Sequence, residues 1–431
     1  MNHASTREVS TPVVTTCLLV TVLLPPALHA WVGTDSMSAG VMGVAALAVV
    51  LLAALSSFQW PTPGGGALLI ACTALLAGIS THGAISVALN GSFDFPRYAS
   101  SAFLLVLVLA GAAAWVRLAQ RIPDRSAHAA IRGGFWMIVA SAVAGIVGFA
   151  PFALPFLNHP VGFFAEPSHL ALSFLPFLLY VAVLAPARSR LLYLALGLAI
   201  GALLTNLTLI LGVSLIVAVI VRLRRAVLVV PLLAVMLAGV DLTYYSDRLA
   251  ISRDSENLSV IDFLQGWERA LLNIRESRGL GVGFQQFGIV GSRGELTDVL
   301  ARLNQPDLGL RDGGSVAAKL IGEFGAAGVL ALIVYVALAF RSAQRLRTVA
   351  VLGSPERDPR ALFFHACFLM YSIDLFVRGV GYFSPSGFLF IAAAEWRILT
   401  WSRGRVPVRL HPNRNRPVLE PGTILVTRNV P

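Results

Sequence analysis

Twelve runs of predominantly apolar residues divide this chain, and they leave few folds open to it. They lie at roughly 13–30, 39–56, 67–89, 98–116, 133–154, 169–185, 191–204, 208–221, 226–240, 314–340, 361–377 and 387–401. A helix rising 1.5 Å per residue needs about 20 such residues to cross ~30 Å of hydrocarbon. Only 13% of the 431 residues are charged, about half the share carried by a soluble domain. The chain is therefore read as an all-α polytopic membrane protein with about 12 transmembrane helices. The first run ends in "ALHAW", with Leu28 where a cleavage site wants a small residue, so it is read as an anchor. Cys17, Cys72 and Cys367 all fall inside apolar runs without pairing spacing, which predicts neither a disulfide nor a metal site.

The net charge of +11 invites a nucleic-acid reading, but the distribution of charge argues against one. With both termini placed in the cytoplasm, cytoplasmic segments hold 22 of the 33 basic residues. The short outer loops hold Arg97 and Arg378, and the rest sit in or just after one long outer loop, which translocates regardless of charge. The run 191–221 has basic residues at both ends, "RSR" and "RLRR", so it must turn back, most simply at Thr205 to Thr208. Two short passes and a re-entrant hairpin both satisfy that reading.

The expected organisation is a membrane bundle over 1–240 with an outer loop at 155–168, a long outer loop over 241–313, a second membrane section over 314–401 and a basic tail over 402–431. Within the long loop, Val260, Phe263, Leu264, Trp267, Leu271 and Ile274 recur at helical spacing. An amphipathic helix over 259–277 is predicted, opened by Ser259 with Asp262 in a capping box. "GLGVGF" (Gly279 to Phe284) leaves that helix instead of opening one, so it is read as a flexible turn and not a nucleotide fingerprint.

The candidate chemistry gathers on the outer face. "GFFAEPSHLALSF" (Gly162 to Phe174) places Glu166 and His169 where an apolar helix begins. Glu166 is either a helix-terminal charge favoured by the dipole or a carboxylate that works on a hydroxyl. His169 is either a packed interfacial histidine or a partner in that chemistry. Guanidinium groups at Arg97, Arg248, Arg253, Arg269, Arg278 and Arg378 suit a lipid-linked diphosphate at the interface. Against this, the long loop carries eleven acids and eight arginines, so many of its arginines are expected to be surface ion-pair partners. No chain of mid-membrane acids and no repeated half with matched broken helices is seen, which disfavours a transporter.

Three stretches in order carry a resemblance: "GFFAEPSHLA", then "FLQGWERALLNI…GLGVGFQQFG", then "DGGSVAAKLIGEFGAAGVLAL". Over roughly Gly162 to Phe340 the chain resembles Wzy-type O-antigen and exopolysaccharide polymerases, within the superfamily that includes the O-antigen ligases. The ligases carry a required histidine late in the long loop. Here that place reads Gly313-Gly314, and Asp241 to Gly313 holds no histidine, which favours the polymerases. The resemblance implies a GT-C-like glycosyltransferase bundle with one long periplasmic loop, in a bacterial inner membrane. It implies transfer of glycan between undecaprenyl-diphosphate-linked oligosaccharides with no cofactor and no metal. Membrane lipid, a chain-length regulator and a flippase of the same pathway are the partners implied, and nucleic acid is not. Glu166 and His169 would be catalytic, and Arg97, Arg248, Arg253, Arg269, Arg278 and Arg378 would bind diphosphate. A ligase-like transferase using His159 or His169, or a non-enzymatic lipid-linked oligosaccharide transporter, are the alternatives.

Overall fold

A computed structural model describes residues 11–33, 36–55, 65–90, 92–151, 160–221, 257–353 and 358–404. Among them are thirteen helices: α1 (Thr11–Val32), α2 (Ser38–Leu55), α3 (Gly65–Asn90), α4 (Phe95–Gln120), α5 (Asp124–Ile146), α6 (Pro167–Leu184), α7 (Ala187–Leu203), α8 (Leu207–Ile220), α9 (Leu258–Glu276), α10 (Glu295–Arg302), α11 (Val316–Leu352), α12 (Pro359–Phe376) and α13 (Pro385–Gly404). Six of these, α1, α3, α4, α5, α6 and α11, are long and apolar enough to cross a membrane, and α2 and α8 are shorter apolar helices. Among the described residues, the β-type pairing is one isolated bridge between Val161 and Phe164. The apolar run at 226–240 lies outside the described residues.

The bundle is arranged around α6. Its residues from His169 to Val183 are all buried, so neighbouring helices cover it on every side. Lipid is as apolar as leucine, so packing and close backbone approach hold such helices together. Phe135 of α5 stacks on Phe174 at 5.4 Å, and Phe363 of α12 meets Phe177 edge-on at 5.0 Å.

Polar contacts fix the two ends of the bundle. At one end, Arg190 donates to the carbonyls of Ala182 (2.9 Å), Ala185 (3.1 Å), Ile220 (3.3 Å) and Ala350 (2.8 Å). One guanidinium thereby satisfies carbonyls that α6, α8 and α11 leave unpaired at their C-termini. At the other end, Asn206 caps α8 by accepting from the Leu209 amide at 3.1 Å and donates to the Pro167 carbonyl at 2.5 Å. The α7–α8 hairpin therefore turns at Thr205–Asn206, as its basic flanks demand, and runs the full length of α6.

Within the helices, sequence and structure part company in three places. The run at 133–154 belongs to a helix that begins at Asp124 and stops at Ile146, before a left-handed Gly148. The cap of α9 is Asn257, which accepts from the Ser259 amide at 3.0 Å, so Ser259 does not open the helix. The face that α9 buries also differs. Asp262, Gln265, Gly266, Arg269, Ala270 and Asn273 are buried together with Val260 of the expected apolar stripe, whereas Phe263, Leu264, Trp267 and Ile274 of that stripe are half-buried and Leu271 is 65% exposed. The reason is a close approach: Gly266 lies against the Gly313 carbonyl, where a Cβ would collide.

Candidate functional site

The site is assembled on the end of the bundle that α9 covers, and its foundation is a break in α11. Gly325 adopts φ 56°, ψ −127° inside that helix, a combination open only to glycine. The break frees backbone groups, and the "GLGVGF" turn satisfies them. Val282 and Gly283 amides donate to the carbonyls of Gly322 (3.1 Å) and Glu323 (2.9 Å), and the Ala326 amide donates to Gly279 (2.8 Å). From the other side, His82 Nε2 lies 2.8 Å from the Leu280 carbonyl and Ser86 donates to the Val282 carbonyl at 2.5 Å. The turn is thus a clamped element, not the loose connector expected of it. It orients the next residues, Gln285 and Gln286, toward the start of α4.

Between this clamp, the starts of α2, α4 and α6, and the segment before α11 lies a cavity of about 980 Å³. Four of the residues singled out in the sequence line it: Arg97, Glu166, His169 and Arg378. Arg269 does not; it is 3% exposed beneath α9, and its Nε and Nη1 have no hydrogen-bond partner. Arg278 is exposed beyond the helix end with φ 52°. Arg248, Arg253 and His159 lie outside the described residues.

Glu166 stands at the N-terminal boundary of α6 but makes no side-chain capping bond. Its Oε2 accepts from Ser168 Oγ at 2.8 Å and lies 3.6 Å from Arg378 Nη2, with 42% of the side chain exposed. Burial alone would raise its pKa; the nearby His169 and Arg378, with the Ser168 hydroxyl, outweigh it and hold the carboxyl down to about 2. It is a fixed carboxylate at neutral pH. Arg378 also donates from Nη1 to Asp262 Oδ2 at 2.8 Å, tying α9 to the start of α6. Burial opposes the charge on Arg378, but Glu166 and Asp262 raise its pKa. His169 packs against His29 of α1 with ring centroids 5.7 Å apart.

Further cavity residues are Arg311, Asp262 and Asp312, counted in the sequence only among the charges of the long loop, with Asp262 assigned to a helix cap, and Lys319, His29 and Tyr382, to which no site role was given. Lys319 had a signal, being the one lysine among 33 basic residues. Arg97 donates from Nε to the Gln285 carbonyl at 2.9 Å and is close enough to Arg311 for the two charges to repel. Two cations that line one cavity and repel can both be offset by an anion with more than one charge. Arg378, already paired with two carboxylates, is poorly placed to bind such an anion. The cavity wall is apolar where Met37, Met42, Phe103 and Leu104 line it, and Met42 and Phe103 also face outward from the bundle.

No protein-family model matches the chain, nor does any curated protein or solved structure.

Proposed function

We propose that this protein is a polysaccharide polymerase, which joins a glycan carried on one undecaprenyl diphosphate to the repeat unit carried on another. The observation that carries the reading is the content of one cavity. A fixed carboxylate, Glu166, shares it with the cations Arg97, Arg311 and Lys319 and with an apolar wall facing outward from the bundle. That combination suits a substrate with a lipid tail, a diphosphate and a sugar hydroxyl. The sequence resemblance over Gly162 to Phe340 points the same way.

In this reading the helices form a GT-C-like bundle of about twelve spans in a bacterial inner membrane. Both termini are cytoplasmic and the cavity opens on the periplasmic side. Arg97 and Arg311 neutralise the donor diphosphate, which departs with the electron pair of the anomeric C–O bond as the acceptor oxygen forms the new one. The hydroxyl proton passes to the departing diphosphate. Glu166, with a pKa near 2, is too weak a base to take that proton well, because efficient bases titrate near the working pH. Its role is to orient the acceptor hydroxyl and stabilise positive charge at the anomeric carbon. Arg378 then holds Glu166 instead of binding diphosphate. No nucleotide sugar and no metal enters the reaction.

The test is a reconstitution in lipid with a single undecaprenyl-diphosphate repeat unit as the sole substrate. Wild type is expected to yield a ladder of polymer on a gel, and folded Glu166→Gln to yield monomer only. A ladder from both would leave Glu166 a helix-terminal charge. If folded wild type gives no ladder, a second reaction supplied with preformed carrier-linked polymer and a lipid acceptor separates the alternatives: attachment of polymer favours the ligase-like reading through His169, and no product in either reaction favours a transporter.

A further inference from the structure

Arg97 belongs to α4 and Arg311 to the segment before α11, so something must set the distance between them. One side chain links the two. Lys319, 2% exposed at its side chain, donates from Nζ to the Arg311 carbonyl at 2.7 Å and to Gln285 Oε1 at 3.5 Å. Gln285 in turn takes both contacts from Arg97: Nε on its carbonyl at 2.9 Å and Nη2 on its side chain at 3.4 Å. Asp312 Oδ1 stands 3.6 Å from the same Nζ, and the Tyr382 ring centroid lies 5.2 Å from it. Gln285 has φ 61°, a left-handed conformation that a side-chain-bearing residue keeps only when its surroundings over-determine it.

We infer that Lys319 is a positioning residue, which sets the spacing of Arg97 and Arg311 so that both meet one diphosphate. The inference rests on the transferase reading above. An ammonium group is compact and has three donors free to rotate, so a single nitrogen can serve acceptors from separate segments. Here those acceptors are the backbone that carries Arg311 and the side chain that receives Arg97. Without Nζ, the Arg311 carbonyl and Gln285 Oε1 both lose a donor, and repulsion between the two guanidinium groups is free to drive them apart. A lysine that merely added charge would touch the cavity alone and hold neither arginine.

The experiment measures binding of inorganic pyrophosphate by calorimetry to the full-length protein in lipid nanodiscs, which needs no turnover. Lys319→Met is expected to weaken binding about tenfold, the effect of losing one charge-assisted contact. In an Arg97→Gln/Arg311→Gln background the same change should cost less than about twofold, because coupled residues do not add. Equal factors in both backgrounds would make Lys319 a direct ligand and overturn the inference, as would unchanged affinity in Lys319→Met. Should Lys319→Met fail to fold, Gln285→Gly suits φ 61° and cuts the same link, so it must show the same coupled loss. Failure of folded wild type to bind pyrophosphate would overturn the diphosphate reading and this inference with it, a result distinct from failure of the coupling alone.

Discussion

Arg378→Met tests how the site is held together. Arg378 Nη1 lies 2.8 Å from Asp262 Oδ2, and that carboxylate is 3% exposed. Its other oxygen, Oδ1, has no hydrogen-bond partner. Removing the guanidinium strands a buried charge, which costs about 3–5 kcal/mol when no water can reach it. The Arg378 side chain is 26% exposed, so water can enter the space it leaves, and the cost falls to about 2 kcal/mol. The second contact, to Glu166 at 3.6 Å, adds little because that carboxylate is 42% exposed; exposed pairs contribute less than about 1 kcal/mol. The two partners are therefore unequal, and a double-mutant comparison separates them. Adding Asp262→Asn to Arg378→Met should recover most of the loss by removing the stranded charge, whereas adding Glu166→Gln should recover about 0.3 kcal/mol or less. The assay is the unfolding midpoint of each variant in the same lipid. A wild-type midpoint in Arg378→Met, or equal rescue by Glu166→Gln, would refute the reasoning.

Three further outcomes follow from the geometry. Gly325→Ala would place a Cβ on the Gly279 carbonyl at φ 56°, so it should cost more than about 3 kcal/mol and abolish folded yield in membrane extracts. Arg269→Met should be as stable as wild type or up to about 2 kcal/mol more so, with polymer formation intact, since it replaces an unpaired buried cation by an apolar chain; burial and Arg293 already push the Arg269 pKa down. The carboxyl of Glu166 titrates below its ordinary value of 4.5, near 2. Its stabilising effect is complete above about pH 4.5 and is lost as pH falls toward 2. A midpoint-against-pH curve for Glu166→Gln should lack that fall, and the wild-type transfer rate should show no limb from Glu166 between about pH 5 and 8.

The helices were legible because each run of apolar residues carries its own signal and needs no partner to be recognised. The same was true of the α7–α8 turn, since Arg190 and the "RLRR" segment mark its two ends with charge. The buried face of α9 was legible only in part: Val260 is buried as expected, and Phe263, Leu264, Trp267 and Ile274 only half so. Six apolar residues at helical spacing define one stripe, yet Gly266 lets the Gly313 carbonyl approach on another side and draws Asp262, Arg269 and Asn273 inward. Periodicity reports which face is apolar. It cannot report which face a neighbouring backbone will cover.

The same limit explains which site residues were found. Glu166 stood out because a carboxylate beside a proline at the head of an apolar helix is locally anomalous, and Arg97 and Arg378 because short outer loops hold few cations. Lys319 is one turn inside an apolar helix and Gln285 is an ordinary polar residue in a glycine-rich stretch. Their importance is relational: it comes from the Arg311 carbonyl, the Arg97 guanidinium and the left-handed backbone at Gln285 meeting within 3.5 Å of the contacts described. Residues that are expected to touch substrate announce themselves by being costly where they stand. A residue that positions them is satisfied where it stands, so its role emerges only when its partners are brought together. For this chain that distinction has a consequence. Substitutions at Glu166 should remove transfer with the cavity intact, whereas substitutions at Lys319 or Gln285 should act through the spacing of Arg97 and Arg311 and disappear when those arginines are already gone.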